Sequence, residues 1–332
     1  MISFGGFNFY MKKMIPVLLA AVMFAGLLAG CAEPVDSDSD GGLSIVTTIF
    51  PEYDWVKQIM GEQAENAGIT MLLDSGIDLH NYQPTAADIM KLSQCDLFIY
   101  VGGESDSWVG DTLASAAAKD RVVVNLLDVL GEDLVREEEY VAGMEHDADD
   151  EDTPENDEHV WLSLKNAVLI CSYISERLAE IDPEHKDIYT ANTAAYIEKL
   201  TTLDREYQKA ADAASTRTLL FGDRFPFRYL ADDYGLAYYA AFSGCSAESE
   251  ASFETIAFLS QKVDELGLGT VLTIDGVNHK IAETVIETAE SEHVDILSLN
   301  SMQSITSADI QDGITYLSIM EDNLEVLKNA LM

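Results

Sequence analysis

The chain has 332 residues and a formal net charge of −40, and 48% of its residues are hydrophobic. This length is enough for about two domains of ordinary size with a sizeable core. The acidic balance excludes nucleic acid as a partner, because phosphates would be repelled, and favours a cationic ligand.

The N-terminus is predicted to be a lipoprotein signal peptide over residues 1–30. Lys12 and Lys13 precede an apolar run, 15–28, that is too short for a stable membrane span. The run ends in Leu-Ala-Gly-Cys, a lipobox in which the thiol of Cys31 accepts a diacylglycerol. The alternative is an uncleaved membrane anchor. The lipobox predicts an extracytoplasmic protein that is lipid-anchored to the cell membrane, with 31–43 as a tether.

Apolar strands alternate with helices through residues 44–181, which we predict to be an N-terminal α/β lobe. The predicted strands cover 43–50, 69–73, 96–101 and 121–127, and the predicted helices cover 53–60, 85–92, 108–118 and about 160–180. Continuous apolar strands that alternate with helices imply a parallel sheet covered on both faces.

One long helix is predicted within residues 182–215. Asp182 is a good N-cap with Pro183 at the first helical position, and no Gly or Pro follows before Ala214. A helix of about 45 Å is too long for one small lobe, so it predicts a rigid spacer between two lobes.

Residues 216–332 repeat the plan as a C-terminal α/β lobe. The predicted strands cover 218–221, 236–242, 270–274 and 294–299, and the predicted helices cover 227–234, 252–266, 280–289 and 308–331. Each lobe therefore has four strands. Ligands of open parallel sheets bind beyond the carboxyl ends of the strands, so we expect a site between the lobes.

Four residues that follow strands or occupy loops have the chemistry of metal ligands. His80 and His159 belong to the first lobe, and Asp223 and Asp275 directly follow predicted strands of the second. Two imidazoles and two carboxylates form a set suited to Zn²⁺ or Mn²⁺, which accept both kinds of donor. Singly, such residues are common turn formers, so the prediction depends on the combination.

An acidic loop, 138–158, leads directly to His159. Its last fourteen residues, 145–158, hold nine carboxylates and no Lys or Arg, so this stretch must stay solvated or meet cations. One interpretation is a surface loop, and the other is a metal-gathering loop that feeds the site. The loop residues assigned to metal gathering are Glu145, His146, Asp147, Asp149 and Asp150.

From residue 44 to the C-terminus, the chain resembles the zinc- and manganese-specific solute-binding lipoproteins of bacterial ABC importers, in their cluster A-I, high-affinity zinc uptake type. The segments that carry the resemblance are Phe50-Pro51, 76–84, 159–163, 229–236 and the long helix. The resemblance implies two lobes, each with a four-stranded parallel sheet flanked by helices, joined by one long rigid helix. It implies that His80 and His159 are metal ligands. An acid-rich loop before the second ligand is typical of zinc-specific members.

The second lobe departs from the family pattern. Arg224 stands where many relatives have His or Glu, and a guanidinium has no lone pair for a metal. We therefore expect Asp223 to be the ligand and Arg224 to support it, or else Asp223 only to pair with Arg224. The family's last carboxylate would correspond to Asp275. Glu250 is a further residue that could support the site or help to cap the helix after Ser252.

The sequence thus predicts a receptor that is not an enzyme. It would capture Zn²⁺, or alternatively Mn²⁺, and deliver it to the permease of an ABC transporter. The competing interpretations are a zinc-dependent hydrolase and a surface adhesin. Catalytic zinc usually has three protein ligands and a nearby base, and no HExxH motif or nucleophile elbow occurs here.

Overall fold

Two four-stranded parallel sheets organise the chain. A computed structural model describes residues 42–115, 120–145, 156–244, 250–276 and 278–332. The first sheet has the order β2-β1-β3-β4 and the second has the order β6-β5-β7-β8. The strands are β1 Ser44–Thr47, β2 Gly68–Met71, β3 Leu97–Tyr100, β4 Val122–Asn125, β5 Thr218–Phe225, β6 Ala237–Ser243, β7 Thr270–Ile274 and β8 Asp295–Leu299. The predicted pair of four-stranded parallel sheets is confirmed.

Helices flank both sheets. The N-terminal half, residues 44–181, has α1 Phe50–Met60, α2 Ala86–Gln94, α3 Trp108–Ser115, α4 Leu126–Leu130 and α5 Leu164–Ile181. The long helix is α6 Lys186–Ala213. The C-terminal half, residues 216–332, has α7 Arg228–Tyr234, α8 Phe253–Leu266, α9 Lys280–Thr288, α10 Ser307–Gln311 and α11 Tyr316–Ala330. Among the residues that the structure describes, no helix is both long and apolar enough to cross a membrane.

The first strand and the fourth strand end earlier than predicted, because helices begin there. Oε2 of Glu52 accepts hydrogen bonds from the backbone nitrogens of Thr48 (2.8 Å) and Ile49 (3.3 Å), which starts α1 at Phe50. Asn125 likewise caps α4, where Oδ1 accepts from the backbone nitrogen of Asp128. Local capping therefore overrides the apolar run in both places.

The predicted start of the long helix is wrong by three residues. The carboxylate of Asp182 accepts hydrogen bonds from Nδ1 of His185 at 2.8 Å and from the hydroxyl of Tyr189 at 2.5 Å. Asp182 therefore holds the turn between α5 and α6, and α6 begins at Lys186.

Two predictions in the C-terminal half are also wrong. β5 continues past Phe221 to Phe225 through a shift in its pairing with β6, so Asp223 lies inside the strand and not after it. The single last helix is two helices, because Gly313 has a φ of 92° and Thr315 caps a new start at α11.

The long helix packs against both halves. Its 28 residues span about 42 Å, and its buried face includes Tyr189 and Tyr207. The hydroxyl of Tyr207 donates to the carbonyl of Met320 in α11 at 2.6 Å. Nε1 of Trp161 also donates to the carbonyl of Ser301 at 2.9 Å, and one buried apolar cluster runs through both halves. These contacts join the two halves through a shared core.

Candidate metal centre

His80 is held by a short turn after β2. The turn is the 3-10 helix Leu79–Asn81, and Oδ1 of Asp78 caps it by accepting from the backbone nitrogen of His80 at 3.1 Å. The ring is largely buried, and its Nδ1 lies 2.7 Å from Oγ of Ser105 in the loop after β3. The turn and the serine together fix the direction of Nε2.

His159 lies directly before the 3-10 helix Val160–Leu162 and is fully buried. Oδ1 of Asp157 is 2.9 Å from both Nδ1 and the backbone nitrogen of His159. Gly244 packs on the ring, and a Cβ atom at that position would lie 3.0 Å from Cε1 of His159. The ring is therefore confined from two sides.

The two rings point their Nε2 atoms at each other, and these atoms are 3.2 Å apart. An ionised carboxylate can only accept, so Asp157 favours the tautomer of His159 with its hydrogen on Nδ1, and Nε2 of the neutral ring then carries the lone pair. Zinc–nitrogen bonds of 2.0–2.1 Å in a tetrahedral site separate two ligand atoms by about 3.3 Å. The structure thus brings the two predicted histidines together at the spacing of two zinc ligands.

Asp78, Gln303 and Arg224 surround this pair. Oδ1 of Asp78 lies 4.0 Å from Nε2 of His80 and accepts from Nε2 of Gln303 at 3.3 Å. The same amide nitrogen is 3.3 Å from Nε2 of His159. Nη2 of Arg224 lies 3.0 Å from Oδ2 of Asp78. The C-terminal half therefore contributes Gln303 and Arg224 to the site.

Sequence reasoning did not identify Asp78 or Gln303 as site residues. Asp275 directly follows β7 and Gln303 comes four residues after the end of β8, so the rule that ligands bind beyond the carboxyl ends of strands covers both. Asp78 was in the loop that carries His80. Neither residue has a local signal that separates it from its polar neighbours.

The two predicted carboxylates of the C-terminal half have other partners. Asp223 accepts from the backbone nitrogens of Arg224 (2.8 Å) and Ile274 (3.2 Å), one on each oxygen. Asp275 accepts from the backbone nitrogen of Ser301 and from Oγ of Ser304, both at 3.0 Å. Within the described ranges, no three or more His, Cys, Asp and Glu side chains are grouped to hold a metal ion as they stand. The ligand roles of Asp223 and Asp275 therefore stay predictions.

Burial and neighbouring charges shift the pKa values of the two imidazoles in opposite directions. Burial, followed by the neighbouring His159, lowers the pKa of His80 to about 4. Burial alone would also lower the pKa of His159, but the charge and hydrogen bond of Asp157, together with the charges of Glu158 and Glu138, outweigh it and raise that pKa above its ordinary value. Burial raises the pKa of the adjacent Glu158. His80 is therefore a neutral donor at physiological pH, and His159 is the imidazole that competes for protons.

Within the acidic loop, Glu145 is attached to the C-terminal half. The backbone nitrogen of Glu145 donates to the carbonyl of Ala241 at 2.9 Å, and its carboxylate accepts from the backbone nitrogen of Ser252. Ser252 caps α8, and the nearby Glu250 is exposed. The predicted loop residues His146, Asp147, Asp149 and Asp150, and the predicted lipidation site Cys31, lie outside the described residues.

Residues 45–330 match the family model for the zinc-uptake complex component A, periplasmic. The chain belongs to this family. It is 32% identical over 324 residues to the zinc-binding lipoprotein AdcA of Streptococcus pneumoniae, which covers 96% of this chain and 61% of that protein. It is 30% identical to the high-affinity zinc uptake system protein ZnuA of Bacillus subtilis, with 97% and 98% covered.

Solved structures agree with this assignment. The Zn(II)-bound ZnuA-like domain of Streptococcus pneumoniae AdcA has a TM-score of 0.68 and 30% identity, with 88% of this chain and 99% of that chain covered. The resemblance to metal-specific solute-binding lipoproteins is confirmed. The chain nevertheless spans only 61% of the length of the AdcA proteins that it matches.

Proposed function

We propose that this protein is an extracytoplasmic receptor that captures Zn²⁺ and delivers it to the permease of an ABC importer. The carrying observation is the pair of Nε2 atoms of His80 and His159, each on a ring whose Nδ1 already has a polar partner. Neutral imidazoles oriented through Nδ1 are typical zinc ligands. The names of the relatives, a zinc-binding lipoprotein and a zinc uptake system protein, support the same cargo.

Zinc is favoured over manganese because of the donor atoms. Manganese prefers carboxylate, carbonyl and water oxygens, whereas imidazole suits zinc. Two imidazoles at the centre of the site therefore select for zinc. Manganese is the alternative cargo, and direct competition between the two ions measures the preference.

The proposed action is to bind the zinc ion and release it, without catalysing a reaction. Membership of a family described as a zinc-uptake complex component supports a permease as the partner. ATP hydrolysis would then belong to a separate subunit. The lipobox ending in Cys31, together with a relative named a lipoprotein, supports attachment to the membrane through a lipid on that residue.

The test is zinc affinity measured by competition with a chelator. His80→Ala and His159→Ala should each weaken binding by at least about a hundredfold, because loss of one imidazole leaves the ion under-coordinated. The matched control is His293→Asn, which alters an exposed histidine whose φ of 66° asparagine tolerates. Wild-type affinity in either alanine variant would overturn the proposed site.

A further inference from the structure

Residues 136–145, which we call the strap, cross from the N-terminal half of the chain to the C-terminal half. At one end, the carbonyl of Arg136 accepts from the backbone nitrogen of Asp157 at 2.7 Å. At the other end, the backbone nitrogen of Glu145 donates to the carbonyl of Ala241 in β6 at 2.9 Å. Backbone hydrogen bonds therefore hold both ends of the strap.

A single buried hydroxyl ties the base of the strap to α7. The hydroxyl of Tyr229 accepts from the backbone nitrogen of Arg136 at 2.9 Å and donates to the carbonyl of Asp157 at 2.8 Å. A phenolic hydroxyl can donate and accept at the same time, so the two bonds are compatible. The chain continues from Asp157 directly to His159. The C-terminal half therefore holds the base of the strap beside a proposed metal ligand.

Side chains hold the middle of the strap. Nη1 of Arg228 in α7 lies 3.1 Å from Oε2 of Glu139, and the Arg228 side chain is only 16% exposed. Gly143 has a φ of 87° and lies against Phe258 of α8, where a Cβ atom would overlap the ring. The strap therefore contacts three elements of the C-terminal half, which are α7, β6 and α8.

The strap packs closely along the edge of the second sheet. β6 is the outer strand of that sheet, and an outer strand has backbone groups that a neighbouring segment can cover. The cavity between the strap and the sheet has a volume of only about 10 Å³, which is at most enough for one water molecule. Two residues that line it, Asp157 and Gly244, also contact His159. The strap thus lies directly beside the proposed metal centre.

The strap can open more easily than the shared core that joins the two halves. Between Arg136 and Glu145 it has no helix, and its Tyr140 and Glu139 side chains are 44% and 54% exposed. Segments with few buried apolar side chains open locally at low free-energy cost, whereas a packed core does not. Opening of the strap therefore does not require the protein to unfold.

We infer that the strap is a latch between the two halves, and that its release from α7, β6 and α8 sets the rate at which the captured cation leaves. This inference rests on the proposed function. His159 is fully buried, and Gln303 and Arg224 of the C-terminal half lie beside the histidine pair. A cation held there leaves when the halves separate, and a latch that opens rarely slows that step.

Zinc release from the loaded protein, measured by stopped flow with an excess of chelator, tests the latch. Arg228→Met removes the ion pair with Glu139 and should speed release by at least about threefold. Gly143→Ala pushes the strap away from α8 and should have the same effect. The matched control is Arg177→Met, because the ion pair of Arg177 with Glu180 lies within the single helix α5. Its release rate should equal that of the unsubstituted protein.

Hydrogen exchange at the Glu145 amide reports whether the strap has opened, since this N–H is bonded to Ala241 only in the closed strap. Exchange should be faster in Arg228→Met and in Gly143→Ala than in the unsubstituted protein, and either variant alone decides the question if the other does not fold. Faster exchange with an unchanged zinc release rate would overturn the inference. Unchanged exchange in the variants, or an equal acceleration of release in the control, would also overturn it. Failure of the unsubstituted protein to bind zinc would instead refute the proposed function.

Discussion

Nε2 of His80 and Nε2 of His159 lie 3.2 Å apart, although the two residues are 79 positions apart in the chain. One ring is fixed through Ser105 and the other through Asp157. Fixing both rings before the ion arrives reduces the ordering that binding would otherwise require. The two rings are therefore preorganised to offer nitrogen donors, as the proposed capture of zinc requires.

Zinc affinity should depend on pH mainly through His159. Its pKa is raised above the ordinary 6.5, whereas that of His80 is lowered to about 4. As pH falls through the raised pKa of His159, one proton competes with the metal, and the affinity should then drop by about tenfold per pH unit. His80 should add a second proton only near pH 4. Chelator competition across this range measures the slope, and a constant affinity between about pH 8 and 5 would contradict the role of His159.

Asp157→Asn should weaken zinc binding by about 10- to 100-fold, because the carboxylate fixes the tautomer of His159 and makes Nε2 a stronger donor. It should also move the onset of proton competition to lower pH, since the group that raises the pKa of His159 is lost. The same chelator competition measures both effects. Asp232→Asn, at an exposed carboxylate on α7, is the control. A variant with reduced affinity and an unchanged pH profile would argue that Asp157 acts only on the fold.

The elements around this site follow patterns that are local in sequence. β2 is an apolar run, and His80 lies in the loop that follows it. The strand and the histidine could therefore both be predicted. The contacts of Asp78 beside the two histidines could not be predicted, because its partner Gln303 is 225 positions away and its partner Arg224 is 146 positions away. No pattern along the chain reports contacts of that range.

The sequence-based prediction placed Asp223 after β5, and not inside it, for a related reason. The apolar run of β5 ends at Phe221, but the strand recovers its pairing at Arg224 after a register shift. Such a shift depends on the neighbouring strand, β6, and not on the residues of β5 alone. The sequence therefore predicted the sheet correctly and the end of this strand wrongly.

Glu52→Gln should stabilise the protein at alkaline pH. Burial, followed by the charge of Asp106, raises the pKa of Glu52 from 4.5 to about 8. A raised carboxyl pKa means that stability is fully present below the unfolded pKa and is lost as pH rises through the folded pKa. Glutamine keeps an acceptor for Thr48 and Ile49 and carries no charge. The gain in the free energy of unfolding above about pH 8 should reach at most about 5 kcal/mol.

Urea unfolding at several pH values measures this effect. The wild type should lose stability from about pH 5 to 8, and Glu52→Gln should lose much less. The control is Glu62→Gln, at an exposed position in the turn after α1, which should follow the wild type. Parallel curves for the wild type and Glu52→Gln would mean that Glu52 does not carry the pH dependence.

The acidic loop should speed zinc capture without setting the tight affinity. Residues 146–155 contain six carboxylates, while the flanking Glu145 and Asp157 are fixed by hydrogen bonds to Ala241 and Arg136. Neutralising the six carboxylates to their amides should slow zinc association at low ionic strength. Clustered negative charges attract a cation at long range, and salt screens this attraction. The equilibrium affinity should change by less than about threefold, because His80 keeps its contact with Ser105 and His159 its contact with Asp157.

Stopped-flow association at several salt concentrations measures the rate. A Gly-Ser replacement of residues 146–155 at equal length separates the effect of charge from that of the particular sequence. A deletion of 145–158 would not be a clean test, because it also removes Asp157, which contacts His159. Loss of tight zinc binding in the amide variant would mean that the loop supplies ligands.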